Sequence, residues 1–256
     1  MESSTLVNLI YLAASVLFIF GLKGLAHPRT AVRANWIGAL GMLTAIVATL
    51  YLVPRTNFSY WMIGVGVALG AAIGAVLALR IRMTAMPQMV ALLNGFGGAA
   101  SVLVAGADQF AAWREGLVAT PDVGVALAAS GLIGAVTFWG SLVAFAKLEE
   151  YAKFRKPIHF RGAQAVNAAL FAVALALAYW QIAAPEYGVW IYWLLVLVAS
   201  ALGVLLVNPI GGADMPVLIS LLNSYSGLAA AATGFVLGNQ VLIVAGSLVG
   251  ASGVIL

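Results

Sequence analysis

The charged residues of this chain divide it into long stretches that carry no charge at all. Such stretches run, for example, from Arg33 to Arg55 and from Asp122 to Lys147. Each is long enough for one helix to cross the hydrocarbon layer, which takes about 20 residues. Only 8% of the 256 residues are charged and 64% are hydrophobic, whereas a water-soluble domain carries charge on about a quarter of its positions. The sequence therefore excludes a soluble fold and predicts a membrane protein.

These apolar stretches predict helices and not the strands of a barrel. Backbone amides inside a bilayer must be bonded within a helix or a closed barrel, and barrel strands alternate polar with apolar residues, which these stretches do not. The predicted fold class is all-α, a polytopic transmembrane helix bundle that forms a single domain over residues 1–256. The lengths of the charge-free stretches predict about nine spans. In chain order they are 4–23, 34–53, 58–80, 86–106, 122–146, 162–181, 188–207, 215–236 and 239–256.

The distribution of Lys and Arg predicts the orientation of the bundle. Nine spans place the termini on opposite sides, and cytoplasmic loops are enriched in basic residues. With the N-terminus outside and the C-terminus cytosolic, only Arg55 and Arg114 of the 12 basic residues lie outside. The basic run from Lys147 to Arg161 is then interpreted as a cytoplasmic anchor, which argues against nucleic-acid binding.

The sequence lacks the residues that metal sites, nucleotide sites and nucleophilic catalytic sites require. The chain has no cysteine, and its two histidines, His27 and His159, lie in basic loops, so no metal site is predicted. Neither a phosphate-binding Gly-rich loop nor a Ser/His/Asp set is present, and no catalytic residue is assigned. The N-terminus lacks signal-peptide features, so the first span is expected to be retained. The last span ends at Leu256 without a basic or aromatic anchor, and the polypeptide is therefore expected to continue into a cytosolic segment.

Spans 4 and 8 share a motif. A shift of 129 residues places Pro87 on Pro216 and Asn94 on Asn223. Both spans start from the inner side, so the repeat is parallel, and repeats of this kind often hold a functional site at the midplane. Each asparagine follows its proline by seven residues, which is about 10 Å along a helix axis. The two amides are either hydrogen-bonding groups between helices or polar positions on a water or proton path.

Span 5 carries a polar stripe. Ser130, Gly134, Thr137 and Ser141 share one helical face and form either the wall of a wet path or a close-packing seam. No ionisable residue lies in the central part of any span, although ion-coupled transporters usually carry one. Asp214 directly precedes span 8, where it either caps the helix or contacts a cytosolic partner.

These motifs resemble the membrane part of the β subunit of proton-translocating nicotinamide nucleotide transhydrogenase. The resemblance extends over essentially the whole chain and rests mainly on residues 83–87, 134–138, 140–145, 211–227, 229–231 and 242–253. It implies a membrane domain that couples proton translocation to hydride transfer between NAD(H) and NADP(H). The nucleotides are expected in separate soluble domains, with the NADP(H)-binding domain after residue 256, so that this chain binds no cofactor itself.

The resemblance also implies roles for single residues. Asn223 and Ser141 match positions tied to proton conduction, and Asp214 matches one at the interface with the NADP(H)-binding domain. The predicted proton path consists of Asn94, Asn223, Ser141, Thr137 and Ser130. Many members of that family have a histidine where this chain has Asn94, and asparagine cannot titrate. The titrating group is therefore expected from a partner subunit's helix packed against spans 4, 5 and 8.

The implied partners are the membrane helices and NAD(H)-binding domain of an α subunit, the NADP(H)-binding domain and the lipid bilayer. The implied complex is a dimer in the bacterial inner membrane. Two other classes of function stay open on the sequence alone, a stand-alone secondary transporter or channel and a structural membrane anchor. The missing ion-coupling residue argues against the transporter.

Overall fold

A computed structural model describes residues 2–52, 60–151 and 160–255. Within these ranges the chain is helical and contains no strand, which confirms the predicted all-α fold. Nine α-helices follow one another there: α1 (Glu2–Leu25), α2 (Pro28–Leu52), α3 (Tyr60–Arg80), α4 (Met86–Arg114), α5 (Pro121–Leu148), α6 (Ala163–Ala183), α7 (Gly188–Val207), α8 (Met215–Val236) and α9 (Gln240–Ile255). Short 3-10 turns at Met83–Ala85, Pro185–Tyr187 and Gly212–Asp214 precede α4, α7 and α8.

The lengths and surfaces of these helices suit a bilayer. In the described ranges, eight helices are long and apolar enough to cross a membrane, and α9 is shorter, with 16 residues. Large apolar side chains such as Trp36, Leu79 and Trp190 are exposed on the helices, as expected where hydrocarbon replaces water as the solvent. The chain is therefore a multi-pass membrane protein, and the side that each terminus faces stays a prediction.

Two helices extend well beyond the predicted spans. The helix α4 continues past residue 106 to Arg114, and α2 begins at Pro28 instead of at residue 34. Charge-free length measures the hydrocarbon-compatible part of a helix, whereas backbone hydrogen bonds continue into the interface. Proline at the first helical position fits the start of α2. Residues 58 and 59 of the third predicted span lie outside the described residues, as do Arg55, Lys153, Arg155, Lys156 and His159.

The first of two compact units covers Met1–Met83. Within it α1 and α2 form a helical hairpin, closed by small buried residues such as Ala14 and Ala48. The hydroxyl groups of Tyr11 and Thr49 share a hydrogen bond of 3.0 Å across this pair. In α3, no residue is buried.

The second unit covers Thr84–Leu256 and is built around α5. This helix packs against α4, α6, α7 and α8, while α4 also packs against α8, and α9 lies on α8. Small residues allow these approaches, as is usual between membrane helices. A Cβ added to Gly98 of α4 would lie 2.6 Å from the carbonyl oxygen of Gly134 in α5. The backbones of α4 and α5 are therefore in direct contact where the two helices cross.

The repeat between spans 4 and 8 extends to local structure. The 3-10 turns Met83–Ala85 and Gly212–Asp214 lie at the same 129-residue shift, and each passes directly into a helix. Both helices have a proline in their first turn, Pro87 and Pro216, where the missing amide proton has no helical acceptor to lose. The shared motif therefore specifies a shared way of starting the helix.

The break between α8 and α9 has a defined turn. Gly238 has φ of 62°, and its amide bonds to the carbonyl of Phe235 while that of Asn239 bonds to Gly234. This is a Schellman arrangement, for which glycine is the favoured residue. The side-chain oxygen of Asn239 then accepts a 3.1 Å hydrogen bond from the amide of Leu242 and caps α9. The break follows residue 236, where the eighth predicted span ends.

Candidate functional site

Asn94 lies in a buried contact between α4 and α5. Its side-chain nitrogen donates a 2.9 Å hydrogen bond to the hydroxyl oxygen of Ser141, and the asparagine is only 7% exposed. The other end of the amide, Oδ1, is buried without a hydrogen-bond partner among the described residues. A buried acceptor without a donor costs free energy. The site is therefore ready to accept a hydrogen bond from a water or a group of another chain.

A second polar cluster, here called the hydroxyl junction, joins α4, α5 and α8. It consists of Ser101, Ser130 and Thr233, all of them buried. The hydroxyl groups of Ser130 and Thr233 share a 2.7 Å hydrogen bond, and the hydroxyl of Ser130 lies 3.2 Å from the carbonyl oxygen of Ser101. Thr233 also donates to the carbonyl of Ala229 in its own helix. The junction holds three helices together through side chains that could also relay a proton.

Thr137 lies between the two clusters along α5. Its hydroxyl donates a 2.7 Å hydrogen bond to the carbonyl of Ile133 in the same helix. A Cβ on Gly98 would lie 3.0 Å from the Cβ of Thr137, at the crossing of α4 with α5. In this conformation the stripe on α5 thus acts as a packing seam in its middle and as a hydrogen-bonding surface at Ser130 and Ser141. A role of these hydroxyls as the wall of a wet path stays a prediction.

Asn223 of α8 is partly buried. No hydrogen bond joins its side chain to another part of the chain that the structure describes, whereas its neighbour Ser224 donates to the carbonyl of Gly250 in α9. Ser220 donates to Gly253 of the same helix at 3.2 Å. The two serines tie α8 to α9 and leave the amide of Asn223 uncommitted.

The repeat partners of α4 and α8 lie next to each other. A Cβ on Gly97 would lie 2.8 Å from the hydroxyl oxygen of Ser226, and these two positions correspond at the 129-residue shift. Asn94 and Asn223 each precede this contact by about one helical turn. The two asparagines therefore lie at about the same level on neighbouring helices.

Asp214 ends the 3-10 turn before α8 and is exposed. It occupies the N-cap position, but its side chain makes no capping hydrogen bond. The capping alternative raised by the sequence is therefore wrong, because the backbone here has turn geometry with ψ near 0° instead of the extended conformation of a capping residue. No hydrogen bond or ion pair joins this carboxylate to another described residue.

The structure corrects the interpretation of Lys147. Its side chain is buried, and the ammonium group donates to the carbonyl oxygens of Asn208 and of Ile210, the latter at 2.7 Å. The carbonyl of Val207 lies 3.5 Å away. A helix C-terminus has unpaired carbonyls and partial negative charge, both of which a cation satisfies. Lys147 thus joins the end of α5 to the end of α7 and is not part of a surface anchor.

Sequence reasoning missed Ser101 and Thr233. Ser101 follows Asn94 by seven residues and therefore shares its helical face, which was a usable signal. Thr233 stands in the same relation to Ser226. Their meeting with Ser130 depends on how three helices pack and has no signature in the sequence.

Comparison with known proteins supports one family. The family described as NAD(P) transhydrogenase beta subunit matches residues 7–256. Two curated relatives from Rhodospirillum rubrum, one of them from a named strain, are each called NAD(P) transhydrogenase subunit beta. Each is 43% identical to this chain in an alignment that covers 96% of the chain and 53% of the relative.

The chain spans about half the length of the curated relatives that it matches. The family match includes the helices that carry Asn94, Ser141 and the hydroxyl junction, since it begins within α1 and extends over every later helix. This chain belongs to the NAD(P) transhydrogenase beta subunit family.

Proposed function

We propose that this chain is the proton-conducting membrane domain of a transhydrogenase. It would couple proton translocation to hydride transfer between NAD(H) and NADP(H) bound in separate soluble domains. The observation that carries the proposal is the buried Asn94–Ser141 pair with its unpaired amide oxygen, in a chain of this family. Family membership also disfavours a stand-alone transporter or channel.

The proposed path runs along the contacts of α4, α5 and α8. Asn94, Ser141 and Asn223 form one polar level, and Thr137 and Ser130 lead from it to the hydroxyl junction. These residues hold and orient water by hydrogen bonds and do not change charge, because amides and hydroxyls stay neutral near pH 7. The crossing at Gly98 and Gly134 separates the two levels, so a proton passes only when the helices move or water enters.

The titrating group is proposed to come from a partner subunit. Asn94 stands where many family members carry histidine, and its free Oδ1 is a suitable acceptor for a donor on a neighbouring helix. A photo-reactive amino acid in place of Leu93, which is exposed beside Asn94, is expected to capture a helix of the α subunit. The same residue in place of Trp190 on α7 is the control. Capture of a helix without an ionisable residue at this depth would contradict the proposal.

We propose that the nucleotides bind in separate soluble domains, since a dinucleotide-binding fold needs parallel strands with a glycine-rich turn. The proposed part of this chain is transmission. The helix α8 carries Asn223 at the polar level and begins beside the exposed Asp214, about 13 Å away along its axis. We propose that the NADP(H)-binding domain contacts Asp214 and that α8 transmits its state to the path.

The proposed orientation follows the basic residues, with the N-terminus outside, the C-terminus cytosolic and the complex a dimer in the bacterial inner membrane. Arg80 and Arg161 would then lie on the cytosolic side and Arg114 on the outer side.

The test is proton pumping by the complete complex in proteoliposomes, driven by NADPH and an NAD⁺ analogue. Asn223→Ala is expected to abolish most of the pumping while hydride exchange between the soluble domains continues. Asn167→Ala is the matched control, since Asn167 is also a partly buried asparagine but lies on α6, which packs against α5 and α7. Equal pumping by both variants would indicate that Asn223 has only a structural role.

A further inference from the structure

A cavity of about 500 Å³ lies at the end of the second unit that is opposite to Lys147 and Asp214. It is formed where α4 ends, α5 begins and α8 ends, beside the turn before α7. Two acidic residues line it, Asp108 from α4 and Glu186 from that turn. The volume has room for on the order of ten water molecules.

Gln109 is the second polar feature of this cavity. The residue lines the cavity and is 7% exposed, yet its Oε1 is buried without a hydrogen-bond partner among the described residues. Its side-chain nitrogen packs on Gly188, where an added Cβ would lie only 2.6 Å away. Glycine at this position therefore permits the amide to be placed at the cavity wall, and a water in the cavity would supply the missing donor.

The floor of the cavity is apolar. Leu127 and Val236 line it and also belong to a buried cluster with Ala105 and Tyr192. One helical turn below, Ser130 follows Leu127 and Thr233 precedes Val236. A single layer of apolar side chains thus separates the cavity from the hydroxyl junction.

We propose that this cavity is a water-filled vestibule on the outer side of the membrane, which delivers protons to the path. The inference rests on the proposed function and orientation. Hydronium gives its proton to the carboxylate of Asp108, which leaves water and a carboxylic acid, and the apolar layer closes the vestibule from the hydroxyl junction at rest. Two carboxylates in a recess raise the local concentration of cations, including protons.

The charges around Asp108 are few. Glu186 is the other charged residue that lines the cavity. Arg114 and Glu115 at the end of α4 and Asp122 at the start of α5 do not line it, and α7 and α8 contribute no charged residue to its described wall. A change in the pH dependence of pumping in a variant of Asp108 is therefore assigned to the vestibule.

The first test is access from water. This chain has no cysteine, so single cysteines can be placed at Ala112, which lines the cavity, and at Ala105, which lies in the apolar layer. The assembled complex in sealed vesicles is treated with a membrane-impermeant methanethiosulfonate, with the parent complex as background. Ala112→Cys is expected to react from the outer side only and Ala105→Cys from neither. Failure of Ala112→Cys to react before unfolding, or its reaction from the cytosolic side, would overturn the proposal.

The second test is the pH dependence of pumping. With NADH and NADP⁺ as substrates, the direction in which protons enter from the outer side, Asp108→Asn is expected to slow proton uptake several-fold at alkaline outer pH and to approach the parent rate at acidic outer pH. Glu115→Gln, an exposed acidic residue outside the cavity, is expected to match the parent throughout. The same fractional loss for Asp108→Asn at every pH would overturn a role in proton delivery. A parent complex that pumps no protons would refute the proposed function, and the cysteine reactivity would still decide whether the vestibule exists.

Discussion

The side-chain amide of Asn94 donates a 2.9 Å hydrogen bond to the hydroxyl of Ser141 on the neighbouring helix. This bond connects the repeated motif of α4 to the polar stripe of α5. It satisfies one end of the amide and leaves the other unpaired. The pair is thus a fixed contact with one open acceptor.

Ser141→Ala should weaken this contact and pumping together. The variant leaves the amide nitrogen of Asn94 without its acceptor, at a cost on the order of 1 kcal/mol in a membrane protein. Unfolding of the complex in mixed micelles with increasing SDS measures the free energy, and proteoliposomes measure pumping. Ser200→Ala is the control, because the hydroxyl of Ser200 bonds only within α7, to Val196. Equal effects of the two variants on pumping would contradict a special role for Ser141.

Thr233→Val should break the hydroxyl junction without changing its shape. The side chains have nearly the same volume, and the variant removes the hydroxyl that lies 2.7 Å from Ser130. The expected loss of unfolding free energy is about 0.5–1.5 kcal/mol, measured by SDS titration. The control Thr44→Val removes a hydroxyl that bonds only to Leu40 of its own helix. If Thr233→Val and Thr44→Val lose the same unfolding free energy, the hydroxyl junction does not contribute to stability.

Gly98→Ala should separate α4 from α5. The new Cβ would lie 2.6 Å from the carbonyl oxygen of Gly134. Because this distance is a steric clash, the backbone of one helix must move. Overpacking of this kind costs about 1–3 kcal/mol, measurable as a lower SDS midpoint of the complex. Gly70→Ala on α3 is the control, since no described atom beyond the neighbouring backbone of its own helix lies within 4 Å of its added Cβ. If both variants unfold alike, the crossing at Gly98 is looser than the structure shows.

Lys147→Met should loosen the connection between α7 and α8. The carbonyls of Asn208 and Ile210 lose their cation, and groups left unpaired in this way cost about 1–3 kcal/mol each. Protection of the amides of residues 208–214 from hydrogen exchange is expected to fall. Arg114→Met removes an exposed basic residue at the end of α4 and should leave that protection unchanged. Unchanged exchange in Lys147→Met would show that another group holds this turn.

Much of the fold could be predicted from the sequence because its determinants are local. Charge-free runs set the helices, and proline and glycine set where they start and stop, as at Pro87, Pro216 and Gly238. The family resemblance carried by the motif of span 8 is confirmed by the match over residues 7–256. The assigned roles of Asn94, Asn223 and Asp214 stay predictions.

The sequence by itself determined that this chain is an all-helical membrane protein of one family, since hydrophobicity, helix starts and motifs are properties of neighbouring residues. Only the tertiary structure decided that Ser130 meets Thr233, that Lys147 is buried against the end of α7, and that Asp108 and Gln109 line a cavity. These contacts join residues far apart in the chain. They depend on which helix faces are close enough to touch, and the backbone contact of small residues such as Gly98 and Gly134 sets those distances.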